Sequence, residues 1–185
     1  MGKIILDLCG GTGAWSKPYS AAGYDVRNIT LPDYDVRTYK APENVYGILA
    51  APPCTMFSKA RTTSKVPRDF NQAMSIVRAC LEIIWTARAA GSLKFWALEN
   101  PATGYLRHFL GHPCFVFQPV EFGHNYTKMT ALWGYFHRSL KIHRVKKIRM
   151  IGNNKYPSLV DKVRSSAERS ITPANFAKAF FDANP

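Results

Sequence analysis

Three short apolar runs, each followed by a loop rich in glycine or proline, constrain the fold of this chain most strongly. They are residues 3–8, 45–51 and 93–98. The second run is apolar on both faces, which is typical of a strand in the middle of a parallel sheet. Residues 24–31 alternate well enough to predict a further strand.

Helical segments separate these runs. Ser16 is predicted to cap a short helix, and residues 70–90 have the apolar periodicity of a long one. A terminal helix is predicted over residues 170–183, with Thr172 as its cap and Pro173 as its first helical residue.

The order of these elements predicts an α/β domain. Strands alternate with helices, so a mostly parallel sheet with helices on both faces is expected, with residues 116–120 and 131–136 as an antiparallel edge pair. Such sheets carry their chemistry at the carboxyl ends of the strands. Loops 9–13, 52–58 and 99–105 should therefore converge at one edge.

Length and composition are those of one folded domain, residues 1–185. Apolar runs all end before the roughly 18 residues that a bilayer requires, and a strand begins directly after Met1-Gly2 without a signal peptide. We therefore expect a cytoplasmic protein with no membrane partner. The four cysteines form no CxxC pair and are expected to be free thiols.

A metal site is not expected. The spacing of His108, His112 and Cys114 invites that reading, but a fourth ligand and a familiar spacing are both missing.

Positive charge is concentrated late in the chain. Residues 137–169 carry ten Lys and Arg against two acids, so this segment contributes +8 of the net charge of +13. A solvated surface would account for such a block, but one this one-sided favours contact with phosphates. The nucleic-acid candidates in it are Arg138, Lys141, Arg144, Lys146, Lys147 and Arg149.

The first loop, Cys9-Gly10-Gly11-Thr12-Gly13, allows the backbone to approach a ligand closely. A tight turn without a ligand is the alternative. The dinucleotide fingerprint G-x-G-x-x-G would need glycine at position 16, where Ser16 stands, so a nicotinamide-dependent oxidoreductase is disfavoured.

Cys54 and Glu99 are the candidate reactive side chains. Pro52 and Pro53 hold the Cys54 loop rigidly, and a nucleophile needs such positional precision, although a cysteine at a strand end is often a small buried apolar residue. Glu99 follows an apolar run, where partial burial allows a carboxyl group to hold or donate a proton near neutrality. A surface ion pair is the alternative for Glu99.

Together, the motifs DLCGGTG, PPCTMFS and ENPATGYL resemble the cytosine-C5 DNA methyltransferases over almost the whole chain. The resemblance implies a Rossmann-like fold that binds S-adenosylmethionine, with Cys54 as nucleophile and Glu99 in contact with N3 and N4 of a cytosine flipped out of DNA. It also implies that Ser58 and Asn100 lie beside the nucleic acid and that Asp35 reads the adenine amino group. The remaining implied cofactor residues are Asp7, Cys9, Gly10, Gly11, Thr12, Gly13 and Pro53.

The chain departs from the family pattern in several places. Cys9 replaces a phenylalanine, and a Gln-x-Arg-x-Arg run is missing. The region of the expected ribose-binding acid is occupied by Thr30-Leu31-Pro32, with Asp33 as a possible substitute for that acid. Lys128 is the candidate that replaces the arginine of that run, although lysine lacks the guanidinium fork.

The largest departure is the absence of a target-recognition domain. Only 37 residues separate Trp133 from Ile171, and the basic segment 137–169 stands in its place. Contacts to phosphate position a duplex without reading its sequence, so we expect short-context specificity or a partner protein that supplies the reading surface.

Two alternatives stay open at this stage. The same chemistry on RNA or on a free cytosine nucleotide is one, and a nucleic-acid-binding protein of this fold without turnover is the other. The oligomeric state is left open.

Overall fold

The structure is a computed structural model of the 185-residue chain, and it describes residues 2–61, 64–140, 157–159, 163 and 165–185. The strands in this part are β1 Ile4–Leu8, β2 Asp25–Ile29, β3 Val45–Ala50, β4 Phe95–Pro101, β5 Phe115–Phe117 and β6 Thr130–Tyr135. The helices are α1 Lys17–Ala21, α2 Phe70–Ala89, α3 Arg107–Leu110, α4 Ser166–Ser170 and α5 Ala174–Ala183, with a 3-10 turn over Pro119–Phe122.

The six strands form one sheet in the order β2-β1-β3-β4-β6-β5. The β1/β2, β1/β3 and β3/β4 pairs are parallel, whereas β6 is antiparallel to both β4 and β5. The expected antiparallel edge pair is therefore confirmed, and so is the interior position of β3. A mostly parallel mixed sheet of this kind is compatible with a Rossmann-like fold.

Helices cover both faces of the sheet, as expected. Ile4, Leu6 and Leu8 of β1 belong to the apolar cluster that contains α2. Ile5 points the other way, into a second cluster with the buried side chains of α1 and α5. Alternation along the strand sends successive side chains to opposite faces, and this alternation produces the two cores.

The longest described helix, α2, is well defined at its start. The Asp69 side chain accepts a hydrogen bond from the Gln72 backbone amide at 2.9 Å and so caps the helix. Val77, Cys80 and Ile84 are fully buried against the sheet. Within the described residues, no helix is both long and apolar enough to cross a membrane.

Aromatic packing holds α5 on the sheet. Phe176 is fully buried and stacks on Phe117 of β5, with 3.9 Å between ring centroids. Phe122 meets the edge of Phe176 at 5.3 Å, and Trp15 meets Phe180 at 5.5 Å. These contacts also fix the short segment that precedes α5, which reaches the carboxyl edge of the sheet.

Two strand predictions have wrong boundaries. The predicted strand 93–98 stops before Glu99, but β4 continues to Pro101 because residues 99–101 pair with β6. The predicted strand 116–120 is shorter in the structure, since Pro119 lacks an amide hydrogen for the ladder and begins the 3-10 turn.

The single terminal helix predicted over residues 170–183 is also wrong. The chain forms α4 and α5, with Ile171 and Pro173 in extended conformations between them. Pro173 itself has extended backbone, with ψ of 127°, and occupies the cap position, so Thr172 does not cap a helix and α5 begins at Ala174. Ser16 does occupy the N-cap position, directly before α1, but its hydroxyl makes no capping hydrogen bond and donates to Asp7 instead.

Candidate functional site

One cleft lies at the carboxyl edge of the sheet. Its walls are the loop after β1, residues 51–54 after β3, the end of β4, Lys128, and residues 170–172. Its cavity volume is about 80 Å³, and it opens to solvent. The expected convergence of the three loops at one edge is therefore confirmed.

The loop that carries Cys54 is fixed by its own backbone. The amides of Phe57 and Ser58 donate to the Cys54 carbonyl at 2.9 and 2.7 Å, which closes a turn directly after the cysteine. The Arg68 guanidinium donates to the carbonyls of Met56 and Ser58, the latter at 2.9 Å. Cys54 is therefore held at a defined point on the cleft wall.

Asn100 holds the loop that carries Cys54 through a side-chain hydrogen bond. Its side chain is fully buried, and its amide group donates to the Pro52 carbonyl at 3.0 Å. The Tyr105 amide donates to the Phe57 carbonyl at 2.8 Å, which joins the same two loops a second time. The structure thus gives Asn100 a supporting place beneath the loop, whereas its contact with nucleic acid stays a prediction.

Glu99 and Lys128 form an ion pair on the cleft. Lys128 Nζ lies 3.6 Å from Glu99 Oε1, and the two side chains are only 20% and 17% exposed. Both line the cleft together with Cys54, so the structure brings the three predicted catalytic residues together. Glu99 belongs to the end of β4, and Lys128 lies two residues before β6, which is the neighbouring strand.

The surroundings of Cys54 oppose and assist its ionisation at once. Burial raises the pKa of the Cys54 thiol, and the negative charge of Glu99 raises it further. The positive charges of Lys128 and Arg169 lower it. Arg169 is a site residue that the sequence did not single out, because its only signal was membership of the basic segment.

The glycine loop is shaped for backbone contact. Gly11 and Gly13 have φ of +56° and +70°, a backbone conformation that residues other than glycine seldom adopt. A Cβ at Gly10 would lie 2.3 Å from Asp7 Cγ. Cys9, Gly10, Gly11 and Thr12 line the cleft, whereas Gly13 lies behind it, where its carbonyl accepts the first amide of α1 at 3.0 Å.

Asp7 and Trp15 bring polar atoms without partners to the cleft. Asp7 is fully buried, and Ser16 Oγ donates to its Oδ2 at 2.5 Å. Asp7 Oδ1 and Trp15 Nε1 have no hydrogen-bond partner among the described residues. Burial raises the pKa of Asp7 to about 6. Asp7 Oδ1 is thus a buried acceptor and Trp15 Nε1 a buried donor on the cleft. A polar ligand bound in the cleft would supply their missing hydrogen-bond partners.

Cys9 begins the loop that follows β1. Its thiol lines the cleft and contacts Cys80 of α2, and their hydrogen bond lowers the pKa of Cys9. All four cysteines are free thiols. Among the described residues, no three His, Cys, Asp or Glu side chains cluster as a metal site.

Of the predicted site residues Pro53, Ser58 and Asp35, Pro53 alone lines the cleft. Pro53 lines the cleft, while Ser58 lies behind it and its hydroxyl accepts from the Ala60 amide at 3.2 Å. Asp35 is not among the residues that line the cleft, and Arg37 Nε donates to its two carboxylate oxygens at 2.9 and 3.0 Å. These hydrogen bonds lower the pKa of Asp35 to about 2.

The basic segment is mostly outside the described residues. Arg138 is described and exposed, and its charge partly offsets the burial that raises the pKa of Cys114. The other predicted phosphate contacts lie outside the described residues: Lys141, Arg144, Lys146, Lys147 and Arg149. The phosphate-binding role of the segment stays a prediction.

Residues 170–172 are a part of the site that the sequence did not reveal. A continuous terminal helix was predicted there, and the extended break before α5 instead lets Ser170, Ile171 and Thr172 line the cleft.

No protein-family model matches the chain, and a search of curated proteins found no significant match. The geometry of the cleft is therefore the basis for assigning a function.

Proposed function

We propose that this protein is an S-adenosylmethionine-dependent methyltransferase of Rossmann-like fold that methylates carbon 5 of cytosine in DNA. One observation carries the proposal: Cys54, the Glu99–Lys128 ion pair and the glycine loop line a single cleft. A nucleophile, a carboxyl group and a ligand-binding loop thus lie within reach of one bound base.

Cys54 supplies the covalent step. Carbon 5 of cytosine is a poor nucleophile, so it needs activation before it can attack an electrophile. The Cys54 thiolate forms a bond to carbon 6, and the electron pair of the C5–C6 double bond moves to carbon 5. After carbon 5 has been methylated, it loses its proton, the double bond re-forms and the S–C6 bond breaks, which returns the thiolate.

Glu99 and Lys128 act on the other side of the base. The Glu99 carboxyl group accepts from the N4 amino group and holds a proton at N3, which favours electron flow away from carbon 6. Lys128, 3.6 Å away, orients this carboxyl group and balances its charge when it is ionised. The pair is half-buried, so its electrostatic effect is greater than that of a pair in bulk water.

The glycine loop and its surroundings fit the cofactor. Gly11 has open space where a Cβ would stand and so leaves room for close backbone approach, and Asp7 Oδ1 and Trp15 Nε1 offer an acceptor and a donor without protein partners. When bound there, S-adenosylmethionine would supply an electrophilic methyl group. Pro53, Cys54 and Glu99 line the same cleft as the glycine loop.

The substrate proposal rests on charge. The net charge of +13 favours a polyanion, and attack on carbon 6 requires the base to be rotated out of a duplex. The basic segment would hold the phosphates without reading sequence, and a partner protein would supply any longer recognition.

The direct test is mass spectrometry of nucleosides from duplex DNA incubated with the protein and S-adenosylmethionine. We expect 5-methylcytosine from the wild type and none above background from Cys54→Ser. Cys114→Ser is the matched control, since this thiol lies outside the cleft and should be dispensable. Methylation that survives in Cys54→Ser would contradict the proposed nucleophile.

The choice of substrate needs a separate comparison. Methyl incorporation into duplex DNA, transfer RNA and free cytidine nucleotides should be measured at equal cytosine concentration. We expect DNA to be preferred because it combines the required base with the phosphates that the basic segment attracts. Preference for RNA or the free nucleotide would keep the chemistry and change the substrate class, and methylation of none would favour a binding protein without turnover.

A further inference from the structure

Arg68 binds the turn that follows Cys54 at two points. Its Nη1 donates to the Met56 carbonyl, and its Nη2 donates to the Ser58 carbonyl at 2.9 Å. The Ser58 carbonyl has a further, longer contact, 3.4 Å from the Arg61 amide. One planar guanidinium group thus spans the turn, in a geometry that the fixed fork of arginine allows.

Arg68 is itself held in place by its surroundings. It directly precedes Asp69, the N-cap of α2, so the start of that helix fixes its backbone. Its guanidinium lies over the Tyr105 ring, with 5.0 Å between Cζ and the ring centroid. Phe70, two residues further along, stacks on Phe57 of the same turn, with 6.0 Å between ring centroids. Arg68 therefore ties the turn to α2 and to the loop after β4.

The proposed reaction needs such a tie on this side of the nucleophile. Residues 51–61 belong to no strand or helix, so ladder hydrogen bonds do not fix them. Asn100 binds the Pro52 carbonyl, which comes before Cys54, whereas Arg68 binds the chain after it. Arg68 is not among the residues that line the cleft, so it acts on the nucleophile through the turn.

We propose that Arg68 is a positioning residue, whose contact with the Met56 and Ser58 carbonyls holds Cys54 at its point on the cleft and limits access of solvent to the thiol. The inference rests on the proposed role of Cys54. Arg68 exchanges no proton and forms no bond to the substrate. Its loss should therefore lower kcat for methylation, whereas the KM for S-adenosylmethionine should change little.

The test is the rate of Cys54 alkylation by iodoacetamide over a range of pH, followed by mass spectrometry of the peptides that contain Cys54 and Cys80. It needs neither DNA nor cofactor. We expect Arg68→Met to speed alkylation of Cys54 at every pH by roughly threefold to tenfold, because a released turn opens more often to the reagent. Cys80 is fully buried on α2 and should stay unreactive, which shows that the rest of the domain is intact.

Methylation should move in the opposite direction. We expect kcat of Arg68→Met to fall on the order of a hundredfold, as for a nucleophile misplaced by about 1 Å. Arg68→Lys keeps the charge but lacks the fork that reaches both carbonyls, so it should lie closer to Arg68→Met than to the wild type in both assays. Wild-type behaviour of Arg68→Lys would contradict the two-point contact.

Arg78→Met is the matched control, because it removes the same charge from an exposed position on α2 outside the cleft. Alkylation of Arg68→Met that superimposes on that of the wild type and Arg78→Met would overturn the proposal. If Cys80 also reacts in Arg68→Met, the domain has opened as a whole, and Arg68→Lys decides by the same criterion. Faster alkylation in Arg68→Met with no methylation by the wild type would retain the role of Arg68 in holding the turn and overturn the proposed function.

Discussion

Cys54 and Asp7 lie on the same cleft, and burial disfavours the charged form of each. For Cys54, the cost of ionisation is reduced by Lys128 and Arg169. For Asp7, the only described hydrogen-bond donor is Ser16, and one carboxylate oxygen has no partner. Such poorly compensated groups cost stability, and they are typical of binding and catalytic sites.

Glu99→Gln should affect the two activities of Cys54 in opposite directions. Loss of the carboxylate removes a negative charge that disfavours the thiolate, so the pKa of Cys54 should fall and alkylation at pH 7.5 should become faster. Methyl transfer should fall roughly a hundredfold or more, because proton handling at the base is lost. Parallel alkylation and methylation assays check this prediction.

Two outcomes would contradict the assignment of Glu99. If alkylation were slower in Glu99→Gln, the electrostatic relation between the two residues would be wrong. If methylation were unchanged, Glu99 would have no part in the reaction. Glu121→Gln is the control, since this acid lies in the 3-10 turn away from the cleft.

Asp7→Asn should stabilise the fold at pH 8. The pKa of Asp7 is about 6 in the folded chain and 3.8 in the unfolded one, so the unfolded state releases this proton first as pH rises. The wild type therefore loses stability between about pH 4 and pH 6, and the neutral amide avoids this loss. We expect a gain of about 1–3 kcal/mol at pH 8 and a smaller difference at pH 4.

Urea unfolding of both proteins at the two pH values measures this difference. Equal free energies of unfolding at pH 8 would mean that burial of the ionised Asp7 carboxylate does not destabilise the fold. If Asp7 also serves the cofactor, the stabilised variant should bind S-adenosylmethionine more weakly, which isothermal titration calorimetry can measure.

At the scale of elements, the cleft depends on the attachment of two loops to each other. The loop with Cys54 follows β3, the Glu99 segment ends β4, and Asn100 joins them through the Pro52 carbonyl. Gly104 adds to this contact, because a Cβ there would lie 3.0 Å from the Phe57 carbonyl oxygen. Close approach of the two loops therefore requires a small residue at this point.

Asn100→Ala should lower both stability and activity. It leaves the buried Pro52 carbonyl without its donor, which costs about 1–3 kcal/mol. It also frees the loop that aims Cys54, and a misplacement of about 1 Å can reduce the rate on the order of a hundredfold. Urea unfolding and the nucleoside assay measure the two effects.

Asn175→Ala is a close control for this variant. Asn175 also donates from its side-chain amide to a backbone carbonyl, that of Phe122, at 2.8 Å, but away from the cleft. It should lose less stability, because Asn175 is exposed and water can replace its hydrogen bond, and it should keep its methylation rate. Equal activity of Asn100→Ala and Asn175→Ala would show that the Asn100 contact has no role in placing Cys54.

The strands and α2 were predictable because local patterns determine them. An apolar run in β3 and helical periodicity in α2 express burial directly. The end of β4 was not predictable in this way, since residues 99–101 are extended only because β6 pairs with them. The break before α5 did have a local signal in Pro173, which disfavours helix at Thr172.

At the scale of the whole molecule, charge and sheet order act together. The sheet collects the reactive loops at one edge, and the net charge of +13 supplies a general attraction for polyanions. The convergence of the loops depends on long-range strand pairing, whereas the net charge is independent of the fold.

The salt dependence of DNA binding tests the charged segment. Replacement of Lys146, Lys147 and Arg149 by Gln should weaken binding to all duplex sequences alike. It should reduce the slope of log K against log salt by up to about three, since each phosphate contact contributes about 0.9. Filter binding at several salt concentrations measures the slope.

A triple variant of Lys17, Lys40 and Lys94 is the control, because it removes three exposed charges outside the segment. It should change the slope less. Equal slopes for the two variants would mean that the segment does not contact phosphate and that only the total charge matters.

The sequence by itself determined the α/β alternation, the central place of β3 and the edge at which the three loops meet. These follow from local burial patterns and from the rule that parallel strands place their carboxyl ends together. The tertiary structure alone decided the Glu99–Lys128 pair, the support of Pro52 by Asn100 and the place of residues 170–172 on the cleft. Each of these joins residues far apart in the chain, and no local pattern records which distant side chains a sheet brings within a few ångströms.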